Sequence, residues 1–280
     1  MKNISFCTAV LCLLTLFACD LEKEIELELP DYANQTVVEC YLEPGKPFSL
    51  LLTKSDGFFA PIPTDDDRFL ENTLEEGAEV TISYGEETVT LTNDLIFNPF
   101  SGKVYNYANL ENTVPADYET EFTLQIVTAD GERITGKTRI APPTPIDSFV
   151  IERSAENDTL FRALTYITDD VTRPNFYRRM QLFGPDDEVQ QDFAIDDELL
   201  DSEISIFGTA FEYGPGDTLA ASIMQINEDY YRFFNSVSNA VDSNGNPFGQ
   251  PGVIVSNVEG EEEPLGIFTG FVRFVERRIL

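Results

Sequence analysis

The feature that most constrains this chain is a two-residue period of apolar side chains that recurs between Val37 and Ile140. In residues 78–84, Val80, Ile82 and Tyr84 alternate with Glu79, Thr81 and Ser83, and Phe122, Leu124 and Ile126 alternate with Glu121, Thr123 and Gln125. Successive side chains of a strand point to opposite faces, so each run reads as a strand with one face buried. Residues 48–54, 87–92 and 103–107 are shorter candidates. Asp130-Gly131 sits between two such runs, and both residues tolerate the positive φ of a tight hairpin. Tyr84-Gly85-Glu86-Glu87 reads as a second hairpin. Strands this short, separated by turn signals at roughly ten-residue spacing, predict an immunoglobulin-like or transthyretin-like antiparallel sandwich over residues 37–141.

Ala141-Pro142-Pro143-Thr144-Pro145 then interrupts the pattern. Its prolines cannot donate to a ladder and favour a stiff, extended chain, so a domain boundary is expected here. Residues 142–280 read as a second β-rich domain, with strands over 149–153, 160–168, 176–183, 192–195, 218–225, 252–258 and 268–275. One segment changes period. Tyr230, Phe233, Phe234, Val237 and Val241 share a helical face, Asn227 can cap the first turn, and Glu228 and Asp229 suit its positive end. A helix near 228–241 is therefore predicted. Its aromatic stripe could line a ligand groove, but packing on a sheet is the simpler reading. The fold class expected is all-β, mainly antiparallel, with two β modules and one amphipathic helix.

Composition excludes several functions. Lys and Arg total 18 against 50 Asp and Glu, a formal net charge of −32. Nucleic acid as a partner is excluded, because its phosphates need a basic face, and electrostatic adhesion to an anionic bilayer is disfavoured for the same reason. The chain has no His, which removes histidine-dependent triads and histidine-ligated metals.

The amino terminus shows where such a body resides. Met1-Lys2-Asn3 is followed by a mostly apolar run to Ala18, shorter than the about 20 residues a spanning helix needs and suited to a signal peptide. Leu16-Phe17-Ala18-Cys19 resembles a bacterial lipobox, which implies cleavage after residue 18 and acylation of Cys19. An ordinary secretory signal with an incidental Cys is the alternative; Cys12, preceded by Leu11, fits a lipobox less well. The mature chain would carry 17 basic and 50 acidic residues. Cys7 and Cys12 would leave with the signal, so Cys40 is the one thiol of the body and no internal disulfide is expected. In Val37-Val38-Glu39-Cys40-Tyr41-Leu42 it reads as a buried core residue, since no basic neighbour would activate it. Residues 19–36 form an acidic tether that resembles the surface-export signal of Bacteroidota lipoproteins. An outer-membrane, lipid-anchored location is expected, facing the cell surface in preference to the periplasm.

The acidic clusters Asp65-Asp66-Asp67, Asp169-Asp170, Asp186-Asp187-Glu188, Asp196-Asp197-Glu198 and Glu261-Glu262-Glu263 could in principle supply a carboxylate pair or calcium oxygens. Their consecutive spacing instead favours solvated loops. Asp242-Ser243-Asn244-Gly245-Asn246 begins like a calcium loop but has Pro247 where Gly is needed, and reads as a turn. No metal and no cofactor is expected. All nine cations after residue 142 are Arg, and Tyr177, Arg178 and Arg179 are the candidate contacts for an anionic ligand or partner, with internal ion pairs as the competing account.

Several short motifs carry a family resemblance. Val37-Val38-Glu39-Cys40-Tyr41-Leu42, Gly77-Ala78-Glu79-Val80-Thr81-Ile82, Pro145-Ile146-Asp147-Ser148, Tyr231-Arg232-Phe233-Phe234, Val255-Ser256-Asn257-Val258 and Leu265-Gly266-Ile267-Phe268 resemble the Bacteroidota lipoproteins of the domain of unknown function 4249 family. The resemblance implies a non-enzymatic accessory or ligand-capturing subunit beside a TonB-dependent outer-membrane transporter. A surface adhesin or envelope-assembly component, or a carboxylate-dependent hydrolase, are the alternatives. No site residue carries over from the family.

Overall fold

The computed structural model describes residues 34–55, 73–98, 103–199, 203–243 and 252–280. Cys19, the tether up to residue 33, Asp65-Asp66-Asp67 and the turn expected at Asn244-Gly245-Asn246 lie outside the described residues. Among the described residues, nine strands precede the proline-rich segment: β1 (Thr36–Leu42), β2 (Pro47–Lys54), β3 (Glu79–Tyr84), β4 (Glu87–Leu91), β5 (Ile96–Asn98), β6 (Lys103–Tyr105), β7 (Tyr107–Thr113), β8 (Phe122–Val127) and β9 (Arg133–Thr138). Six more follow it: β10 (Ser148–Arg153), β11 (Phe161–Thr168), β12 (Phe176–Phe183), β13 (Glu188–Asp196), β14 (Ile204–Gly208) and β15 (Thr218–Ile226). Helix α1 (Glu228–Ser243) comes next, then β16 (Val258–Gly260), β17 (Leu265–Gly270) and β18 (Arg273–Ile279). The fold is all-β and mainly antiparallel. No helix among the described residues is long and apolar enough to cross a membrane.

The alternation noted above builds the first sandwich. One sheet has the order β17-β1-β2-β7 and the other β16-β9-β8-β3-β4. Val38, Cys40 and Leu42 of β1 and Phe48, Leu50 and Leu52 of β2 face Val80, Ile82, Phe122, Leu124, Ile126 and Ile134 of the other sheet, all fully buried. Each such apolar side chain contributes about 1.5–3 kcal/mol by leaving water. Tyr84 closes one end, its ring 4.9 Å from Phe122 and 6.0 Å from Phe48. Gly131, at φ +92°, makes the β8–β9 turn that Asp130-Gly131 predicts.

The expected boundary at residue 141 divides the sequence but not the sheets. β17 runs parallel beside β1, pairing Val38 with Gly266 and Cys40 with Phe268, and β16 adds to β9. Phe268 and Val258 thus belong to the first core. The proline-rich segment is tied to the same strand, with the amide of Ala141 donating to the carbonyl of Gly270 at 2.9 Å. The physical reason is that β1 has β2 on one side, and among the described residues its other edge is filled by β17. Other expectations shift locally. The strand expected over 268–275 is broken at Phe271-Val272 into β17 and β18, and that over 252–258 survives only at its last residue, the rest running as irregular chain.

The second sandwich packs sheet β10-β11-β14 against sheet β13-β12-β15-β18, enclosing Phe149, Ala163, Ile167, Tyr177, Phe207, Leu219, Ala221 and Ile223. Helix α1 joins the two bodies. Tyr230, Phe233 and Phe234 cover Met224 and Ile226 on the outer face of β15 and reach Ile267 and Tyr41 on the outer face of the first sandwich. The aromatic stripe is packing surface.

Gly266 is the tightest point of this arrangement. Its φ is +136°, and a Cβ there would meet the Val38 carbonyl oxygen at 1.9 Å. Gly266→Ala should destabilise the protein by about 3 kcal/mol or more, read as a fall in the urea midpoint. Cys40 gives a second expectation. Burial pushes its thiol far above its ordinary pKa of 9.0, so its contribution is whole below pH 9.0 and is lost as pH rises through the window above it. The buried Tyr177 and Tyr230, whose phenols are also raised by burial, reinforce the loss above pH 10. Stability should be flat from pH 7 to 8.5 and fall beyond, and Cys40 should resist alkylation, read by mass spectrometry, until the chain unfolds.

Candidate functional site

β12 carries the three candidate contacts on consecutive positions, and a strand sends consecutive side chains to opposite faces. Tyr177 and Arg179 therefore point into the second sandwich, while Arg178 points out toward α1. The three do not form one site. Tyr177 donates to the Asp169 carboxylate, and both are buried. Arg178 holds Asp192 through two parallel bonds, Nε to Oδ1 at 2.8 Å and Nη2 to Oδ2 at 2.5 Å, and donates Nη1 to the Tyr230 hydroxyl. Its guanidinium lies 4.7 Å from the Phe234 ring centre. Burial works to lower its pKa, and the bonds from Asp192 and Tyr230 more than reverse that. Arg178 is thus an internal tie between sheet and helix.

The acidic clusters are similarly engaged. Asp170 pairs with Arg173 at 3.0 Å, Asp187 with Arg277, and Asp196 accepts from the Tyr231 hydroxyl at 3.0 Å. Asp197 accepts from the Asn175 amide at 2.8 Å. Among the described residues, no three carboxylate or thiol side chains converge as a metal site would require.

Two surfaces stand apart from these ties. The first is a groove of about 560 Å³ between α1 and residues 252–255, lined by Tyr231, Arg232, Asn235, Asn239 and Val253 among others. Arg232, Asn235 and Asn239 fall three and four residues apart and so share one helical face, the polar flank beside the aromatic stripe. The chain of the opposite wall is pinned to the helix. Gly252 touches it so closely that a Cβ would meet the Ala240 Cα at 2.5 Å, and the Val255 amide donates to Ser236 Oγ at 2.9 Å. The Asp196 carboxylate that accepts from Tyr231 holds that phenol above its ordinary pKa, so it stays neutral. The Asn235 and Asn239 amides, the Arg232 guanidinium paired with Glu228, and exposed Val253 suit a ligand with an apolar body and hydrogen-bonding edges. Sequence reading missed the groove, because it depends on residues 252–255 folding back on a helix that precedes them.

The second surface is the outer face of sheet β10-β11-β14. Register places Val150 beside Leu164 and Tyr166 beside Ile206, with Ile204 next along β14. Val150, Ile204 and Ile206 are 41%, 56% and 53% exposed. β14 was not anticipated, since Ile204-Ser205-Ile206-Phe207 offers an apolar residue to either face.

With the geometry in hand, comparison with known proteins places the chain. A family model described as Domain of unknown function (DUF4249) matches residues 22–277. The chain belongs to the DUF4249 family. The matched region begins three residues after Cys19 and takes in both sandwiches, α1 and β18 up to Arg277, so both surfaces fall within it. No curated protein matches the chain.

If Arg178 is a tie and not a contact surface, Arg178→Met should cost about 2–4 kcal/mol in urea unfolding, because it strands Asp192 and frees α1.

Proposed function

We propose that this DUF4249 protein is a non-enzymatic lipoprotein of the outer membrane, anchored through Cys19, that serves a TonB-dependent transporter as an accessory, ligand-capturing subunit. The observation that carries this reading is the exposed apolar face of sheet β10-β11-β14. A contiguous apolar surface facing water is costly to keep, and its usual role is contact with another protein. The face is bordered by acids: Glu152, which pairs with Arg162 at 2.5 Å, Asp147, which accepts from Thr168 at 2.8 Å, and exposed Glu203. A partner with a matching apolar patch and a basic rim would be steered onto it. The groove along α1, roomy enough for a small ligand, supplies the capturing element. The lipobox pattern and the acidic tether support the location, since several acyl chains together give a lasting anchor.

The test is purification of the full acylated chain from its native membranes. A transporter barrel should copurify with it. Ile206→Glu, at a position already in water, should leave the melting temperature within about 1–2 °C of wild type and abolish the copurification. Cys19→Ala should release the chain from membranes. A deletion strain should lose uptake of a nutrient; intact uptake with a damaged cell surface would instead point to envelope assembly.

A further inference from the structure

Arg179 is the largest fully buried side chain among the described residues, 1% exposed in the interior of the second sandwich. Seven of the nine Arg residues after the proline-rich segment have an acidic partner: Arg153, Arg162, Arg173, Arg178, Arg232, Arg277 and Arg278. Arg179 and Arg273 have none among the described residues, and of these two Arg273 is only half-buried while Arg179 is sealed inside. Arg179 donates Nη1 to Gln191 Oε1 at 2.8 Å and Nη2 to Gln181 Oε1 at 2.9 Å, both neutral, and its Nε–H meets no acceptor. The Phe193 ring centre lies 5.7 Å from the guanidinium. In a chain with 50 carboxylates, a permanent cation sealed from water without one is the least expected arrangement.

The interior of the same sandwich holds two further polar groups without partners. The interior face of the opposing sheet carries Thr165 on β11 and Ser205 on β14, both buried, and neither hydroxyl has a partner among the described residues. β14 is oriented so that Ser205 and Phe207 point inward while Ile204 and Ile206 point to solvent, which places a hydroxyl in the interior. Burial lowers the Arg179 pKa and no carboxylate offsets it. The orphan Nε–H can only donate, and each hydroxyl is able to. A group that only accepts, carries negative charge and is small enough for a closed interior would answer all three.

We infer that the second sandwich binds a small monovalent inorganic anion of the chloride type, held by the Arg179 guanidinium with the Thr165 and Ser205 hydroxyls turned toward it. The anion is a structural ligand that stabilises the β10–β15 body, independent of any partner on its outer face. A water molecule could accept from Nε–H but would leave the charge uncompensated.

The experiment measures the melting temperature of the full chain as gluconate is replaced by chloride at constant ionic strength, so that general screening of the acidic surface is held fixed. Wild type should rise by about 3–5 °C between zero and 200 mM chloride and saturate, as binding to the folded state alone requires. Arg179→Met should remove the dependence, and Thr165→Val, which keeps the shape, should shift its midpoint to higher chloride. Crystals grown in bromide should show an anomalous peak beside Arg179 Nε. A wild-type melting temperature indifferent to chloride overturns the inference whether or not the variants fold. So does a chloride dependence that Arg179→Met retains, or water alone beside Nε in the bromide crystals.

Discussion

The rest of the structure depends on the close parallel pairing of β1 with β17. These strands lie more than two hundred residues apart in the chain, yet Val38 and Gly266 approach until no Cβ fits between them. The pairing gives β17 two working faces. Phe268 enters the first sandwich, and Ile267 faces outward to meet Tyr230 of α1. Once β17 is placed, the helix has a floor made of both sandwiches, and the irregular run before β16 is drawn against it. Asn257 secures that run by exchanging bonds with Phe268 in both directions at 2.8 Å. A contact of such long sequence separation closes a large loop, so β1 and β17 must meet before the first core is complete.

The second sandwich obeys a different economy of charge. Its Arg side chains are mostly spent on carboxylates of the same region, and β12 shows how one strand serves two environments. Arg178 clamps Asp192 and the helix on one face; Tyr177 and Arg179 enter the interior on the other. The exposed apolar face and the polar interior of sheet β10-β11-β14 are two sides of the same alternation. Ile204 and Ile206 face water while Ser205 and Phe207 do not, since either face of β14 presents an apolar side chain.

Much of this was legible in the residues. Val80, Ile82, Phe122, Leu124 and Ile126 were marked as core by alternation, the Asp130-Gly131 turn by its φ tolerance, and α1 by its aromatic stripe and Asn227 cap, whose Oδ1 accepts from the Tyr230 amide at 3.0 Å. Cys40 was readable as a buried thiol. The sites were not readable in the same way. Tyr177-Arg178-Arg179 looks like one cluster in sequence, and only the strand period divides it. Arg179 looks like its neighbours, and nothing local says that it is the Arg sealed inside without a carboxylate. The groove needs Gly252 to touch Ala240, and no motif announces that contact.

Sequence by itself determined the local states, because strand and helix follow from the spacing of apolar side chains over a few residues. It also determined the acidic surface and the absence of imidazole chemistry, since these are sums over composition. Tertiary structure alone decided which strands became neighbours, which Arg found an acid, and which face of β14 met water. Those outcomes turn on the meeting of segments far apart in the chain, where backbone fit at glycine and the pairing of distant charges outweigh any local preference.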